Sequence, residues 1–235
     1  MNTSDNIDDA EIARFSAQAD AWWDRDGELK ALHDINPVRL AYVRDRCELA
    51  GKTALDVGCG GGLLSEALAA GGAIVTGIDM AEASLAVARA HSRTSGLSID
   101  YRQTTAEELA RKTPQRFDVV TCMELLEHVP RPSSIVAACA RLVKPGGNLF
   151  FSTVNRTWLA GLLVIGMSEY VFGIVKKGTH EYRKLVKPEE LKRWGAAAGL
   201  ACADLSGLRY VPFFGYAALC RDTRMNYMMH FKRRE

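Results

Sequence analysis

Two carboxylates and a run of glycines form the clearest chemical pattern in this sequence. Asp56 stands two residues before Gly58, the first residue of a glycine-rich turn that also contains Gly60. Asp79 ends a second apolar run, 21 positions after Gly58. Glycines lack a Cβ, so a ligand can approach the main chain closely, and an acid at this spacing can hold a ribose diol. The pattern predicts a site for a ligand that contains adenosine.

The charge beside the glycine turn favours one class of adenosine ligand. A dinucleotide site would place pyrophosphate against the turn and the helix N-terminus, where the carboxylate of Asp56 would repel it. The same carboxylate suits S-adenosylmethionine (SAM), which carries an ammonium and a sulfonium group and no phosphate. We therefore predict SAM as the cofactor, bound by Asp56, Gly58, Gly60 and Asp79, with a nicotinamide dinucleotide as the alternative.

A second cluster could supply acid–base chemistry. Glu124, Glu127 and His128 are spaced i, i+3 and i+4, which would place them on one face of a helical turn. Methyl transfer to a phenol needs alignment and loss of the hydroxyl proton, and His128, aided by Glu127, could be the catalytic base. The same three side chains could instead hold Mg²⁺, which would acidify a bound catechol. The alternative to both is a solvated helix end with a capping histidine.

Short apolar runs alternate with helical patterns around these residues. The sequence predicts strands at residues 53–57, 74–79, 99–102, 117–122 and 148–153, with helices between them. This alternation predicts an α/β fold, a mostly parallel sheet with helices on both faces, whose ligands bind beyond the carboxyl ends of the strands. Two antiparallel strands, within 200–208 and 213–219, are predicted to close the sheet. The tail, residues 226–235, shows no informative pattern beyond its weakly basic end.

Residues 1–50 are predicted to form an N-terminal helical cap. The adjacent Trp22 and Trp23 cannot share one helix face, so one of them is expected to cover something other than the main core. Pro37 is expected to open a helix, which places Arg39 early in it. Arg39 either lies in solvent or pairs through its two-pronged guanidinium with the carboxylate of SAM.

Composition restricts the class of protein. Of the 235 residues, 48% are hydrophobic and 25% are charged, as in ordinary soluble globular proteins. A formal net charge of +2 argues against a dedicated nucleic-acid surface. The six cysteines include no CxxC pair, and the polar, acidic N-terminus does not resemble a signal peptide, so a cytoplasmic protein with reduced thiols is expected.

One apolar segment suggests contact with lipid. The segment 158–177 is apolar over its first 18 residues except for Ser168 and Glu169, and it ends in two lysines. Glu169 and three glycines argue against a transmembrane helix. We predict an insert at about 156–186 within a domain of 51–235. It would lie on the inner face of the cytoplasmic membrane or form a lid over an apolar substrate pocket, and a lipid-soluble substrate would make both true.

Taken together, these motifs are similar to a known family. The stretch from Leu55 to Gly62, with Asp79, resembles the class I SAM-dependent methyltransferases, which have a Rossmann-like fold. Further stretches resemble the UbiG-type ubiquinone-biosynthesis O-methyltransferases: Trp22-Trp23-Asp24, residues 32–40, 121–130 and 142–147, and Lys177-Gly178-Thr179-His180. The similarity runs from about Glu11 to Tyr227.

The resemblance implies two O-methylations of polyprenylated phenols or catechols, one on an early hydroxyphenol and one on demethylubiquinol. It implies SAM contacts at Arg39, Gly58, Asp79 and Met123, with Met123 beneath the adenosine. Eukaryotic relatives imply a divalent metal at the positions of Glu124, Glu127 and His128. The family also implies other ubiquinone-biosynthesis proteins as partners.

Two rival interpretations stay open at this point. One is a SAM-dependent methyltransferase for another small acceptor, including a carbon acceptor, which would not need the Glu-Glu-His cluster. The other is a non-catalytic, membrane-associated protein that binds SAM without turning it over.

Overall fold

Strands and helices alternate through the described part of the chain, residues 6–114, 116–158, 160 and 182–235 of the computed structural model. The strands are β1 (Thr53–Val57), β2 (Ile74–Asp79), β3 (Asp100–Gln103), β4 (Phe117–Met123), β5 (Val143–Val154), β6 (Leu200–Val211), β7 (Tyr216–Cys220) and β8 (Asn226–Arg233). The helices are α1 (Asp9–Ala17), α2 (Lys30–Arg44), α3 (Leu63–Ala70), α4 (Glu82–Thr94), α5 (Ala106–Lys112), α6 (Pro132–Leu142) and α7 (Pro188–Ala197). Short 3-10 turns lie at Ala19–Ala21, Leu126–His128 and Pro212–Phe214.

The described strands form one sheet in the order β3-β2-β1-β4-β5-β8-β6-β7. The first five pair in parallel, β8 runs antiparallel to both β5 and β6, and β7 runs antiparallel to β6. The predicted α/β fold with a mostly parallel sheet is confirmed. The carboxyl ends of β1, β2 and β4 meet at one edge, where ligands bind in such sheets.

Helices cover the sheet on both faces, as predicted. Apolar side chains of α5, α6 and α7, such as Leu109, Val136 and Leu191, pack into one buried cluster. Tyr42 of α2 and Leu68 of α3 belong to the cluster on the opposite face. The inner parallel strands β1 and β4 are therefore buried on both sides, which explains their nearly continuous apolar sequences, whereas the edge strand β3 is mostly exposed.

The expectation that the tail is uninformative is wrong. Residues 226–233 form β8, which lies inside the sheet between β5 and β6. Tyr227, Met228, Met229, His230 and Phe231 are all buried. A strand buried on both faces shows no polar–apolar alternation, so this run lacked the periodic signal of a half-buried strand.

The expectation that Pro37 opens a helix is also wrong, because α2 starts at Lys30 and contains Pro37 in its interior. An interior proline removes one backbone hydrogen bond. Ile35, Arg39 and Tyr42 are buried along one stripe of α2, and this tertiary packing stabilises the helix through the proline.

The predicted membrane-contacting segment 158–177 lies outside the described residues, apart from residues 158 and 160. The same holds for most of the predicted insert at 156–186. None of the described helices combines the length and the apolar character needed to span a bilayer.

Candidate active site

A pocket opens at the carboxyl ends of β1, β2 and β4, under the N-terminal helix α1. Its lining includes most of the sequence-predicted site residues: Arg39, Asp56, Gly58, Gly60, Asp79, Met123, Glu124 and His128. Glu127 is buried and does not belong to this lining. The structure therefore brings the two predicted clusters to one cavity.

The glycine turn between β1 and α3 is covered by an aromatic side chain. Gly58 and Gly60 have φ angles of +73° and +52°, which favour glycine. A Cβ on Gly60 would collide with the indole ring of Trp22, whose Nε1 donates to Ser84 Oγ at 3.1 Å. Trp23 stacks on the ring of His91 at 3.3 Å. The two tryptophans thus lie against different surfaces, as expected. Trp22 covers the turn with its ring, whereas Trp23 reaches it only through Nε1, which donates to Gly61 O at 3.0 Å.

Asp56 is buried at the end of β1 with both of its oxygens engaged. Ser65 Oγ and Thr121 Oγ1 each donate a hydrogen bond to it at 2.7 Å. Burial raises the pKa of Asp56 above its ordinary value, although the two hydroxyls act in the opposite direction. The hydroxyls fix the carboxylate in place beside the turn, where it adds negative charge.

Asp79 at the end of β2 is fixed by backbone groups. Its Oδ2 accepts from Gly60 N at 2.9 Å and its Oδ1 accepts from Ala81 N at 2.8 Å. Burial raises its pKa, although these hydrogen bonds favour the charged form. Each carboxylate oxygen keeps acceptor capacity, so the group can also accept from the hydroxyls of a ribose.

Arg39 is a buried cation that faces the pocket. Its Nη2 lies 3.4 Å from Glu124 Oε1, and within the described residues its Nε and Nη2 atoms have no hydrogen-bond partner. Burying unsatisfied donors of a charged group is costly. This guanidinium therefore suits a ligand carboxylate, such as that of the methionyl part of SAM.

Met123 ends β4 as a buried side chain in the pocket wall. A thioether is apolar and polarisable and packs well against an aromatic ring. With the unsatisfied Arg39, the Cβ-free turn and the fixed Asp79, the residues present fit SAM.

Glu124 does not lie on a helix, so the predicted shared helix face of Glu124, Glu127 and His128 is wrong. Glu124 has a φ of +56°, a left-handed conformation that is rare for a residue with a side chain. Its Oε1 accepts from Ser152 Oγ at 2.6 Å. Only residues 126–128 form a helical turn, and it is of the 3-10 type.

Glu127 lies behind the pocket wall and accepts from Thr153 Oγ1 at 2.7 Å. Burial, together with the charge of Glu124, raises the pKa of Glu127 to about 7, against the charge of His128 and a hydrogen bond from Thr153. Glu127 therefore does not contact the pocket, although its charge reaches His128.

His128 lies at the pocket with a quarter of its side chain exposed. Its Nδ1 lies 3.0 Å from Glu11 Oε2 of α1, and the ring of Phe15 meets the imidazole edge to face. Burial alone would lower the pKa of His128, but the hydrogen bond with Glu11 and the charge of Glu127 raise it above its ordinary value. The imidazole of His128 can therefore accept a proton from a substrate.

The residues predicted to hold Mg²⁺ do not fit a metal. Glu124, Glu127 and His128 turn toward Ser152, Thr153 and Glu11. Across residues 6–114, 116–158, 160 and 182–235, no group of three or more His, Cys, Asp or Glu side chains is arranged to hold a metal ion. We assign no step to a metal.

Several residues that shape the site were not predicted from the sequence. Glu11 contacts His128 from a position 117 residues away, and Thr153 contacts Glu127 across 26 residues. No local spacing connects such pairs. Ser65, one of the partners of Asp56, lies nine residues after it and could have been anticipated from the strand–turn–helix pattern.

Comparison with known proteins identifies the family. A family model described as a methyltransferase domain matches residues 55–151. Ubiquinone biosynthesis O-methyltransferase from Pseudomonas aeruginosa is 54% identical over 228 residues, 97% of this chain and 98% of the relative. The protein of the same name from Pseudomonas syringae pv. tomato is 54% identical over 224 residues, 95% of this chain and 97% of the relative.

Solved structures show the same fold at lower identity. Magnesium protoporphyrin IX methyltransferase from Synechocystis, solved with bound S-adenosylhomocysteine, superposes with a TM-score of 0.70 at 19% identity, over 96% of this chain and 100% of that chain. A SAM-dependent methyltransferase from Methanosarcina mazei gives 0.62 at 19% identity, over 82% and 97% of the two chains. The chain belongs to the family of ubiquinone biosynthesis O-methyltransferases, and its cofactor is SAM.

Proposed function

We propose that the protein transfers the methyl group of SAM to a phenolic or catechol hydroxyl of polyprenylated ubiquinone precursors. The sequence resemblance implies an early hydroxyphenol and demethylubiquinol as the two acceptors. The observation that carries the proposal is the position of His128. Its imidazole lines the same pocket as the glycine turn and Asp79, which supports its role as the base for an acceptor hydroxyl beside the cofactor.

The cofactor-binding roles follow from the groups on one side of the pocket. Arg39 would hold the methionyl carboxylate, Asp56 would favour the ammonium group, and Asp79 would accept from the ribose hydroxyls. Met123 would pack against the adenine, and Gly58 and Gly60 leave room for close approach. SAM, when bound, supplies a methyl group that is attached to a sulfonium. After transfer of the methyl group, the sulfur is left as a neutral thioether.

His128 would move the proton of the reaction. A phenol with a pKa near 10 is mostly protonated at neutral pH, so its oxygen gains nucleophilicity when a base accepts the proton. Nδ1 of His128 is occupied by Glu11, so Nε2 would be the accepting atom. The nearby Glu127 would stabilise the resulting imidazolium by its charge.

Product analysis tests the proposal directly. The purified protein is incubated with methyl-labelled SAM and a short-prenyl catechol, and the products are examined by mass spectrometry. We expect one labelled methyl group on a hydroxyl oxygen. A C-methylated product would favour the rival acceptor class, and tight SAM binding without product would favour a non-catalytic protein.

We also propose that the protein works at the inner face of the cytoplasmic membrane, beside other ubiquinone-biosynthesis proteins. The cap of residues 1–50 would cover the domain of 51–235, and the segment of about 158–177 would contact lipid. Trp158, at the start of this segment, is 73% exposed, which suits the bilayer interface. Flotation with liposomes tests this: a folded variant lacking 158–177 should float less, and wild-type binding would exclude the segment as the anchor.

A further inference from the structure

The contact between Glu11 and His128 has a role that sequence spacing could not suggest. Glu11 belongs to α1, in which every residue keeps at least part of its surface exposed. Its Oε2 lies 3.0 Å from Nδ1 of His128 and accepts from Arg14 Nη2 at 2.7 Å. Its Oε1 lies 3.9 Å from Lys184 Nζ. The carboxylate is thus held between two cations while it faces the imidazole.

The protons around Nδ1 can be arranged in two ways. Nδ1 can carry a proton and donate to Glu11, or it can be bare and accept from Arg14 Nη2 at 3.4 Å. An ionised carboxylate only accepts, its distance to Nδ1 is the shorter, and Arg14 Nη2 already donates to Glu11 Oε2. The network therefore assigns a proton to Nδ1, so that in the neutral imidazole the lone pair lies on Nε2.

We propose that Glu11 is a positioning residue that fixes the tautomer and ring orientation of His128, so that Nε2 is free to accept the acceptor's proton. The inference depends on the proposed function, in which His128 is the base. A hydrogen-bond partner that keeps a catalytic histidine in the correct tautomer has a large effect on the rate of catalysis. Here the partner comes from the N-terminal helix and not from the sheet.

Contacts on both sides of the pocket hold this helix in place. Lys184 Nζ donates to Asp8 Oδ2 at 3.0 Å. Asn6 is buried and pairs with the backbone of Arg131 through two hydrogen bonds, at 2.7 Å and 3.0 Å. These polar contacts, together with the packing of Phe15 against Trp22 and His128, determine where Glu11 lies. The base is therefore complete only when the start of the chain is docked over the pocket.

Two measurements on the full-length protein separate positioning from a merely structural contact. Glu11→Ala is compared with wild type for kcat, for KM of SAM and of a short-prenyl catechol, and for the tautomer of His128 by ¹⁵N-histidine NMR. We expect kcat to fall about 100-fold with KM for SAM nearly unchanged. We expect the Nδ1–H signature of His128 to give way to the Nε2–H form that a free, neutral histidine side chain prefers.

Two further variants complete the design. Glu11→Gln keeps an acceptor oxygen for Nδ1–H and should recover part of kcat and of the Nδ1–H signature. Asp9→Ala removes a neighbouring carboxylate of α1 that makes no described contact with His128, so it should leave kcat and the tautomer unchanged. If Glu11→Ala does not fold, Glu11→Gln serves as the test by itself. Its kcat must then be lower than that of wild type by a larger factor than its KM for SAM is raised.

The outcomes distinguish this inference from the proposed function. Full activity of His128→Ala would refute the base itself, whatever Glu11 does. If His128→Ala is inactive while Glu11→Ala keeps both its kcat and the Nδ1–H signature, the positioning role is wrong. Loss of kcat with the Nδ1–H tautomer retained would also overturn it, because Glu11 would then only anchor the helix.

Discussion

The proposed cofactor side of the pocket, with Asp56, Asp79 and the glycine turn, and its proposed acceptor side, with His128 and Glu11, are built in opposite ways. On the cofactor side, Asp79 is held by Gly60, 19 residues away, and Asp56 by Ser65, nine residues away, with Thr121 of the neighbouring strand as its one distant partner. On the acceptor side, His128 is held by Glu11 at a separation of 117 residues. The first side depends on a strand, a turn and a helix N-terminus, whereas the second depends on the docking of a distant helix.

This difference suggests a division of work between the two sides. Local backbone geometry presents fixed acceptors and donors to the cofactor, so changes there should alter cofactor affinity. The acceptor side is assembled from side chains on separate elements, so changes there should alter turnover. The predictions below test whether the two sides are separable.

The largest effect is expected for His128→Ala. Removing the base should lower kcat by about 10²- to 10⁴-fold, while affinity for S-adenosylhomocysteine, measured by calorimetry, stays within about twofold. His128→Gln serves as a control for the loss of side-chain volume and should be equally inactive. A parallel loss of affinity would show that the two sides are not separable.

Arg39→Lys should weaken the binding of S-adenosylhomocysteine by about 10- to 100-fold. A lysine cannot replace the two-pronged contact of a buried guanidinium with a carboxylate, and a hydrogen bond to a charged group contributes about 1.5–3 kcal/mol. Methylthioadenosine lacks the amino-acid moiety, so it should bind wild type and variant equally in the same calorimetric titration. An equal loss for both ligands would place the carboxylate elsewhere.

Gly60→Ala should weaken cofactor binding by about tenfold, or about 1.4 kcal/mol. Its Cβ would collide with the ring of Trp22, so the aromatic cover must move off the turn. Gly96 is the matched control, because its φ is +68° and nothing lies within 4 Å of an added Cβ. Gly96→Ala should cost about 1 kcal/mol of stability through backbone strain alone and leave affinity unchanged.

A double variant sharpens this prediction. If the collision is the cause, Gly60→Ala should have little further effect on affinity once Trp22→Ala has removed the ring, because the two changes share one contact. Additive losses of affinity would show that the methyl group acts on the ligand directly and not through Trp22.

The sequence predicted the cofactor side well because its signal is local. Gly58, Gly60 and Asp79 occur within one strand–turn–helix–strand unit, whose spacing determines the geometry. Asp56 and Met123 also line the pocket as expected, since they stand at the carboxyl ends of parallel strands. The alternation of strands and helices also predicted the mostly parallel sheet with helices on both faces.

The acceptor side could be predicted only in part. The residue types Glu124, Glu127 and His128 were found, but their spacing suggested a helix that the left-handed backbone of Glu124 does not allow. Glu11 had no signal, because its contact depends on tertiary docking. For the same reason β8 escaped notice, as its burial on both faces became evident only in the assembled sheet.

Asp118 offers a test outside both sides of the pocket, at the amino ends of the parallel strands. It accepts from the backbone N of Thr53 and from Lys144 Nζ, both at 2.9 Å. Burial works in the opposite direction, but these hydrogen bonds and the charge of Lys144 lower the pKa of Asp118 to about 2. Asp118→Asn should therefore reduce the free energy of unfolding at neutral pH, with kcat and cofactor affinity unchanged.

The size and the pH dependence of this effect follow from the direction of the shift. The carboxylate is partly solvated, so we expect a loss of about 1 kcal/mol and not the full value of the pKa shift. Because the folded-state pKa is lowered, the stabilisation is present above pH ~4 and is lost as the pH falls toward ~2. Urea unfolding of both proteins between pH 7 and pH 3 measures the difference. A difference that does not shrink on acidification would rule out ionisation as its cause, and a lower kcat would show that the pocket is sensitive to the far end of the sheet.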